Sequence, residues 1–128
     1  MAVFDLKQLS REFSKAVNAG DLDAVCELYA ADAIFIPAPG AEAVSGSAAI
    51  REVLAGFLAS RPTLDFEHTD IFQAGDTALA RGPWKLTSTG PDGAPSVIAG
   101  NSLEVLRRQP DGSWRYVIDH PWGGGDRR

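Results

Sequence analysis

The chain has 128 residues, 45% hydrophobic and 23% charged, with a formal net charge of -5. That balance describes a globular domain with room for one sizeable core and excludes an intrinsically disordered chain. The acidic excess, with Lys and Arg only scattered, excludes a nucleic-acid-binding surface, and no apolar run approaches membrane-spanning length.

Over residues 5–19, Leu6, Leu9, Phe13, Ala16 and Val17 recur at three- and four-residue steps, one stripe of an amphipathic helix. Gly20 closes it by tolerating a left-handed conformation, and Asp21 then caps a second helix whose buried stripe is Leu22, Val25, Cys26 and Tyr29. Cys26 is the only cysteine, so no internal disulfide forms, and its apolar neighbours mark it as a small buried side chain. With no secretory-type leader and no paired cysteines, the expected location is the cytoplasm. The run at 33–36 reads as a brief strand at a sheet margin, stopped by Pro37 and Pro39. A loop through Gly40 and Gly46 leads to Ser47, an N-cap for a third helix that carries Ile50, Val53, Leu54, Phe57 and Leu58 on one face. Pro62 bars its continuation.

Beyond Pro62 the period changes to two. Residues 63–72 alternate Leu64, Phe66, His68 and Asp70 against the opposite face. Strands follow at 77–87, 96–108 and 114–120, separated by the turn chemistry of Gly75-Asp76, Pro91-Asp92-Gly93 and Pro110-Asp111-Gly112. Pro83 cannot donate to a ladder and marks a bulge in the second of these strands. Three helices followed by a four-stranded antiparallel meander, with one early strand added at its edge, is an α+β arrangement. Residues 1–122 form one domain on this reading, and 123–128, Gly-Gly-Gly-Asp-Arg-Arg, a disordered tail.

Phe13, Val17, Phe35, Phe57 and Trp84 serve either as plain core or as the lining of an apolar pocket. Asn101 shares a strand face with Val97, Ala99 and Leu103, so its amide either faces a cavity or makes a buried structural hydrogen bond. His68, Asp119 and His120 are the candidates for acid/base work. Asp119 and His120 point to opposite faces of a regular strand, which leaves His68 with Asp119, or His120 with Asp70, as pairs. Each pair acts either as a general base or as a tie for the last strand. No local motif makes these residues a metal site, and the glycines show no phosphate-cradling spacing. Arg81 faces either a buried acid such as Glu104 or solvent.

"AGDLDAVCELYAADAIF" followed by "SGSAAIREVLAGFL", then "AGDTALARGPW" and "LEVLRRQPDGSWRYVIDHPW", resembles the SnoaL-like and DUF4440-like branches of the NTF2-like superfamily. The resemblance implies a cone-shaped α+β barrel with three N-terminal helices on a curved, mainly antiparallel sheet. It also implies a largely apolar pocket in the cone and often a homodimer through the outer sheet face, where Trp114 and Tyr116 are the aromatics to watch. The segment ending in "SGSAAI" is similar to the bacterial steroid isomerases, whose chemistry uses an aspartate base, a tyrosine and a protonated carboxylic acid. In that register the base position holds Pro37, the tyrosine position Phe13, and the acid position falls near Asn101. Proline cannot take a proton and phenylalanine cannot donate one, so steroid isomerisation by that route is not expected.

The expectation is therefore a protein binding an apolar or ring-containing small molecule through Phe13, Val17, Phe35, Phe57, His68, Trp84, Asn101 and His120. It acts without a cofactor as an isomerase, cyclase or hydratase. The alternative is a non-catalytic binding or dimerisation module.

Overall fold

The computed structural model describes residues 2–125. A 3-10 turn, Leu6–Gln8, leads into α1, Leu9–Asn18, and α2, Leu22–Glu27, follows. Then come β1, Tyr29–Phe35, the two-residue β2, Val44–Ser45, and α3, Ser47–Leu58. The chain ends in β3, Thr63–Phe66, β4, Asp70–Ala74, β5, Thr77–Thr89, β6, Pro95–Arg108, and β7, Trp114–His120. The sheet runs β2-β1-β7-β6-β5-β3, with β4 also paired to β5, so the expected meander is present and its two ends do not meet. β1 joins β7 in parallel; the other pairings are antiparallel. This is the α+β architecture anticipated from the sequence, with the helices packed on one face of a curved sheet.

Several local expectations are corrected. Tyr29 opens β1 rather than extending the α2 stripe, because α2 ends at Glu27. Its strand is longer than the 33–36 run suggests and is not marginal, since β2 lies outside it. Gly46, at φ 88°, and not Ser47, is the residue before the first turn of α3. The bulge expected at Pro83 lies on the facing strand. Phe66 pairs with Trp84 and Asp70 with Arg81, so three residues, Glu67–Thr69, oppose only Gly82 and Pro83. Trp114 and Tyr116 are buried at 3% and 1% exposure, so they mark the inner face of β7 and not an outer interface.

Helix α1 closes the β3 edge of the sheet with three polar side chains. Ser10 Oγ accepts from His68 N at 3.1 Å, Ser14 Oγ donates to Phe66 O at 3.1 Å, and the Asn18 amide donates to Leu64 O and accepts from Leu64 N. Four residues of helix advance about 6 Å and two residues of strand about 6.6 Å, so a four-residue step on α1 matches a two-residue step on the edge. Backbone groups that an open edge would expose are thereby satisfied. The core between α1, α2 and the sheet includes Leu9, Val17, Val25, Leu28, Leu106 and Trp114.

At the other end of the chain, Gly124 N donates to Asn101 O and Asn101 Nδ2 donates to Gly125 O, both at 2.9 Å. Of the tail expected to be disordered, residues 126–128 lie outside the described residues.

Candidate functional site

The concave face of the sheet and helices α1 and α3 enclose a cavity of about 200 Å³. Its wall is mostly apolar: Phe13 from α1, Phe57 from α3, Phe35 from β1, Phe66 from β3 and Trp84 from β5 all contribute. The rings of Phe13, Tyr29, Phe66 and Tyr116 meet edge to face or tilted, with centroids 5.5–6.3 Å apart, which fixes their positions in the wall. Trp84 Nε1 donates to Pro121 O at 2.6 Å, and its ring packs edge-on against Trp122, so the segment after β7 completes the lining.

The polar part of the lining comes from β1, β6 and β7. Glu104 on β6 and Asp119 on β7 are direct cross-strand partners, and both are buried. Tyr29 donates its hydroxyl to Asp119 Oδ2 at 2.5 Å, and Ser102 donates to Glu104 Oε1 at 2.9 Å. Behind them, His68 Nε2 lies 2.7 Å from the same Glu104 Oε1. Tyr116 also lines the cavity, and its hydroxyl is buried with no hydrogen-bond partner among the described residues. Tyr116 and Asp119 are three residues apart and would face opposite ways on a regular strand. The register shift that leaves Val117 unpaired, with Leu106 opposite Tyr116 and Val105 opposite Ile118, returns Asp119 to the inner face.

Burial sets the protonation of this cluster. It pushes the Glu104 carboxyl up to about 8, against smaller lowering effects of its bonds to Ser102 and Asp119. Asp119 rises well above the carboxylate range, first through burial and then through the facing Glu104 charge, which outweigh the Tyr29 hydrogen bond. Burial lowers His68 to about 4, so it is neutral at pH 7. Two like charges directly across a ladder in a dry setting are strongly disfavoured, so the pair retains a proton at neutral pH. A neutral His68 that donates from Nε2 leaves Nδ1 as a bare acceptor, and Nδ1 has no partner among the described residues. The arrangement sets a carboxyl pair that keeps a proton at neutral pH against an apolar chamber.

Of the residues singled out from sequence, Phe13, Phe35, Phe57, Trp84 and Asp119 line this cavity. Val17 does not; it is core, 1% exposed. His68 stands one layer behind the wall, against Glu104 and not Asp119. Asn101 faces the other side of β6, where it borders a shallow outer groove with Asp65 and Lys85. His120 also leaves the cavity: it pairs across from Leu103 and its ring packs on Gly123, where an added Cβ would lie 2.8 Å from it. Asp70 is bound to Arg81 at 2.8 Å on the exposed side, so it serves neither histidine, and Arg81 does not reach Glu104. Glu104, Ser102, Tyr29 and Tyr116 are the cluster members that sequence reasoning missed. The available signal was the alternation Gly100, Ser102, Glu104, Leu106, which is the inward phase of β6 and opposite to that of Asn101. Among the described residues no group of three or more His, Cys, Asp or Glu is placed to hold a metal ion.

The SnoaL-like domain profile matches residues 10–126. The chain belongs to the SnoaL-like domain family. Among solved structures, this SnoaL-like chain is similar to a nuclear transport factor 2 (NTF2-like) superfamily protein from Salmonella enterica. They share 20% identity and a TM-score of 0.81 over 96% of this chain and 91% of that one. A ketosteroid isomerase-like protein from Erwinia carotovora is 25% identical, with a TM-score of 0.74 over 85% of each chain. A protein from Novosphingobium aromaticivorans, provisionally described as an aromatic ring hydroxylase, is 26% identical, with a TM-score of 0.76 over 89% of this chain and 82% of that one. No curated protein matches the SnoaL-like chain significantly. The NTF2-like fold expected from the sequence motifs is thus shown.

Proposed function

We propose that this SnoaL-like protein binds an apolar, ring-containing small molecule in its cone and performs acid/base chemistry on it without a cofactor, in the manner of an isomerase, cyclase or hydratase. The observation that carries this reading is the buried pair Glu104 and Asp119, holding a proton at the wall of an otherwise apolar cavity. A carboxyl pair is costly to bury, and carboxyls with raised pKa values at the wall of a cavity are the kind of group that acid/base sites carry. Asp119 touches the ligand space and is the acid/base; Glu104 shares its proton, and His68 and Ser102 position Glu104. The ring hydroxylase likeness agrees with a ring-shaped ligand.

The test is deuterium uptake. A panel of uncharged one- and two-ring ketones, enones, alkenes and epoxides is incubated with the protein in D2O and read by mass spectrometry. At least one member exchanges or converts faster than in buffer, and Asp119→Asn slows it by about 100-fold or more. Binding without exchange by any member leaves the non-catalytic binding module. That second reading has its own support, since Pro37 and Phe13, inert side chains, occupy the wall positions where steroid isomerases carry base and donor.

The reading includes a homodimer through the outer sheet face, and a cytoplasmic, DUF4440-like protein. Ile34, Ile118, Val105, Leu79 and Phe72 are successive cross-strand partners and form one apolar row over five strands. Phe72 is 63% exposed and Leu79 43%. The row is flanked by Arg81–Asp70 on one side and Arg107–Asp32 on the other. An apolar centre with both charge signs at its rim suits a self-complementary contact with a second copy. Light scattering is expected to give a dimer, and Leu79→Asp a monomer with unchanged circular dichroism; a monomeric wild type at 100 μM or so would remove the dimer from the reading.

A further inference from the structure

Two spaces of unlike chemistry meet at one pair of rings. Trp84 and Trp122 belong to the wall of the cavity and also to the wall of the outer groove, and they cross edge to face with centroids 4.8 Å apart. Both rings rest on Gly100, where an added Cβ would lie 2.9 Å from the Trp84 ring and 3.2 Å from that of Trp122. No side chain of β6 therefore stands between cavity and groove at this point, and the two indoles are the partition. On one side lies the apolar cavity of about 200 Å³, room for a small fused-ring system; on the other lies a groove of about 750 Å³. Asp65, Glu67, Thr69, Lys85 and Asn101 line that groove with charges of both signs, a hydroxyl and an amide.

The Trp122 side of the partition is poorly satisfied where it stands. Trp122 Nε1 is buried with no hydrogen-bond partner among the described residues, and so is Nδ1 of His120, whose ring is covered by Gly123. Polar atoms left buried and unpaired are costly. Turning Pro121–Gly125 outward would give both atoms to water while exposing the apolar ring of Trp122, so the two terms oppose each other. Trp84 Nε1 donates to Pro121 O, and Asn101 holds the end of the segment through Gly124 N and Gly125 O. Gly123, Gly124 and Gly125 add no side chain that would resist the turn.

We propose that Trp122 is a movable partition and that the ligand spans it, with a ring system in the cavity and an uncharged, hydroxyl-bearing arm in the outer groove. The inference rests on the cavity being a ligand site and adds a second subsite to it. An arm with both donors and acceptors matches a lining of carboxylates, an ammonium, an amide and a hydroxyl. An anionic arm would meet Asp65 and Glu67, and an apolar arm would strip water from these groups without replacing its hydrogen bonds.

Three probes with one ring system separate the cases: 2-methoxynaphthalene, 2-naphthyl β-D-glucoside and 2-naphthyl β-D-glucuronide, titrated calorimetrically. The glucoside is expected to bind about 5- to 10-fold tighter than 2-methoxynaphthalene, with the glucuronide below it. In protein labelled with 5-fluorotryptophan, the fluorine resonance of Trp122, identified by its loss in Trp122→Phe, moves towards a solvent-exposed position with the glucoside and not with 2-methoxynaphthalene. Asp65→Ala, an exposed position, removes most of the glucoside's advantage and leaves 2-methoxynaphthalene unchanged. Trp122→Ala tightens the glucoside by about 3-fold or more, because no ring has to be displaced, and weakens 2-methoxynaphthalene, which loses a wall. A glucoside that binds no tighter than 2-methoxynaphthalene, or binds tighter with the Trp122 resonance unmoved, overturns the proposal while the cavity remains a ligand site. Tightest binding by the glucuronide overturns it in favour of anion recognition at Lys85. Failure of all three to bind overturns it together with the reading on which it rests.

Discussion

Gly82→Ala is expected to destabilise this protein by on the order of 3 kcal/mol, lowering the melting temperature by roughly 10 °C. A Cβ at this position would lie 2.0 Å from the carbonyl oxygen of Glu67 and 2.9 Å from Cα of His68. Those are backbone atoms of the bulged segment, which is held by Ser10 of α1 through His68 N on its far side and by Arg81 O of β5 through Thr69 N. It cannot yield without giving up those bonds and the place of His68 against Glu104. Gly56 makes the contrast. It sits within α3 with open space around its Cα, so Gly56→Ala is expected to be neutral or to stabilise by up to about 1 kcal/mol. Paired thermal melts of the two variants give the answer; equal effects would remove the close approach as the reason for a glycine at 82.

Stability is expected to fall as pH rises from 6.5 to 8. Glu104 has a folded-state pKa raised to about 8, so the folded chain keeps a proton that the unfolded chain releases above roughly 4.3. A group raised in this way favours the folded state fully below its unfolded pKa and loses that contribution as pH climbs through its folded pKa. Asp119, raised as well by burial and by the facing Glu104, is counted with it as one pair that holds one proton over this range. His68 acts oppositely: lowered to about 4, it makes the folded state less stable as pH falls from 6.5 towards 4. The two effects offset each other between about pH 4.5 and 6.5, so stability there is nearly level. Above 6.5 only the carboxyls remain, and one proton is worth about 1.4 kcal/mol per pH unit, a loss of about 2 kcal/mol by pH 8. Urea unfolding at pH 5.5, 6.5, 8 and 9 measures this, with Glu104→Gln expected to reduce the slope. A wild-type stability that stays level from 6.5 to 8 would mean the pair does not carry its proton in the folded state.

The fold was legible because its signals are local. Period-four stripes such as Leu9, Phe13 and Val17, the cap at Asp21, the stop at Pro62 and the turns at Asp92-Gly93 and Asp111-Gly112 each act over a few residues. The motif order from "AGDLDAVCELYAADAIF" to "IDHPW" added the superfamily. The aromatic half of the cavity was legible for the same reason, since Phe13, Phe35, Phe57 and Trp84 sit on faces that periodicity assigns.

The polar half was not, because it depends on register. Asp119 and Tyr116 share a face only through the irregularity at Val117, and His68 meets Glu104 only because the bulge at Glu67–Thr69 forms opposite Gly82. Pro83 announced a bulge, but which of two paired strands absorbs the extra residue is decided by the partner. Asn101 and Glu104 lie on opposite phases of one strand, and sequence alone weighed the amide as the pocket candidate.

What the sequence by itself determined is the order and type of elements and the apolar character of the interior, since hydrophobic period and turn chemistry act along the chain. What only the tertiary structure decided is the protonated cluster of Tyr29, Glu104, Asp119 and His68, drawn from β1, β6, β7 and the bulge after β3. Its members are up to 90 residues apart, and neither their contact nor the burial that shifts their protonation exists until the strands are paired.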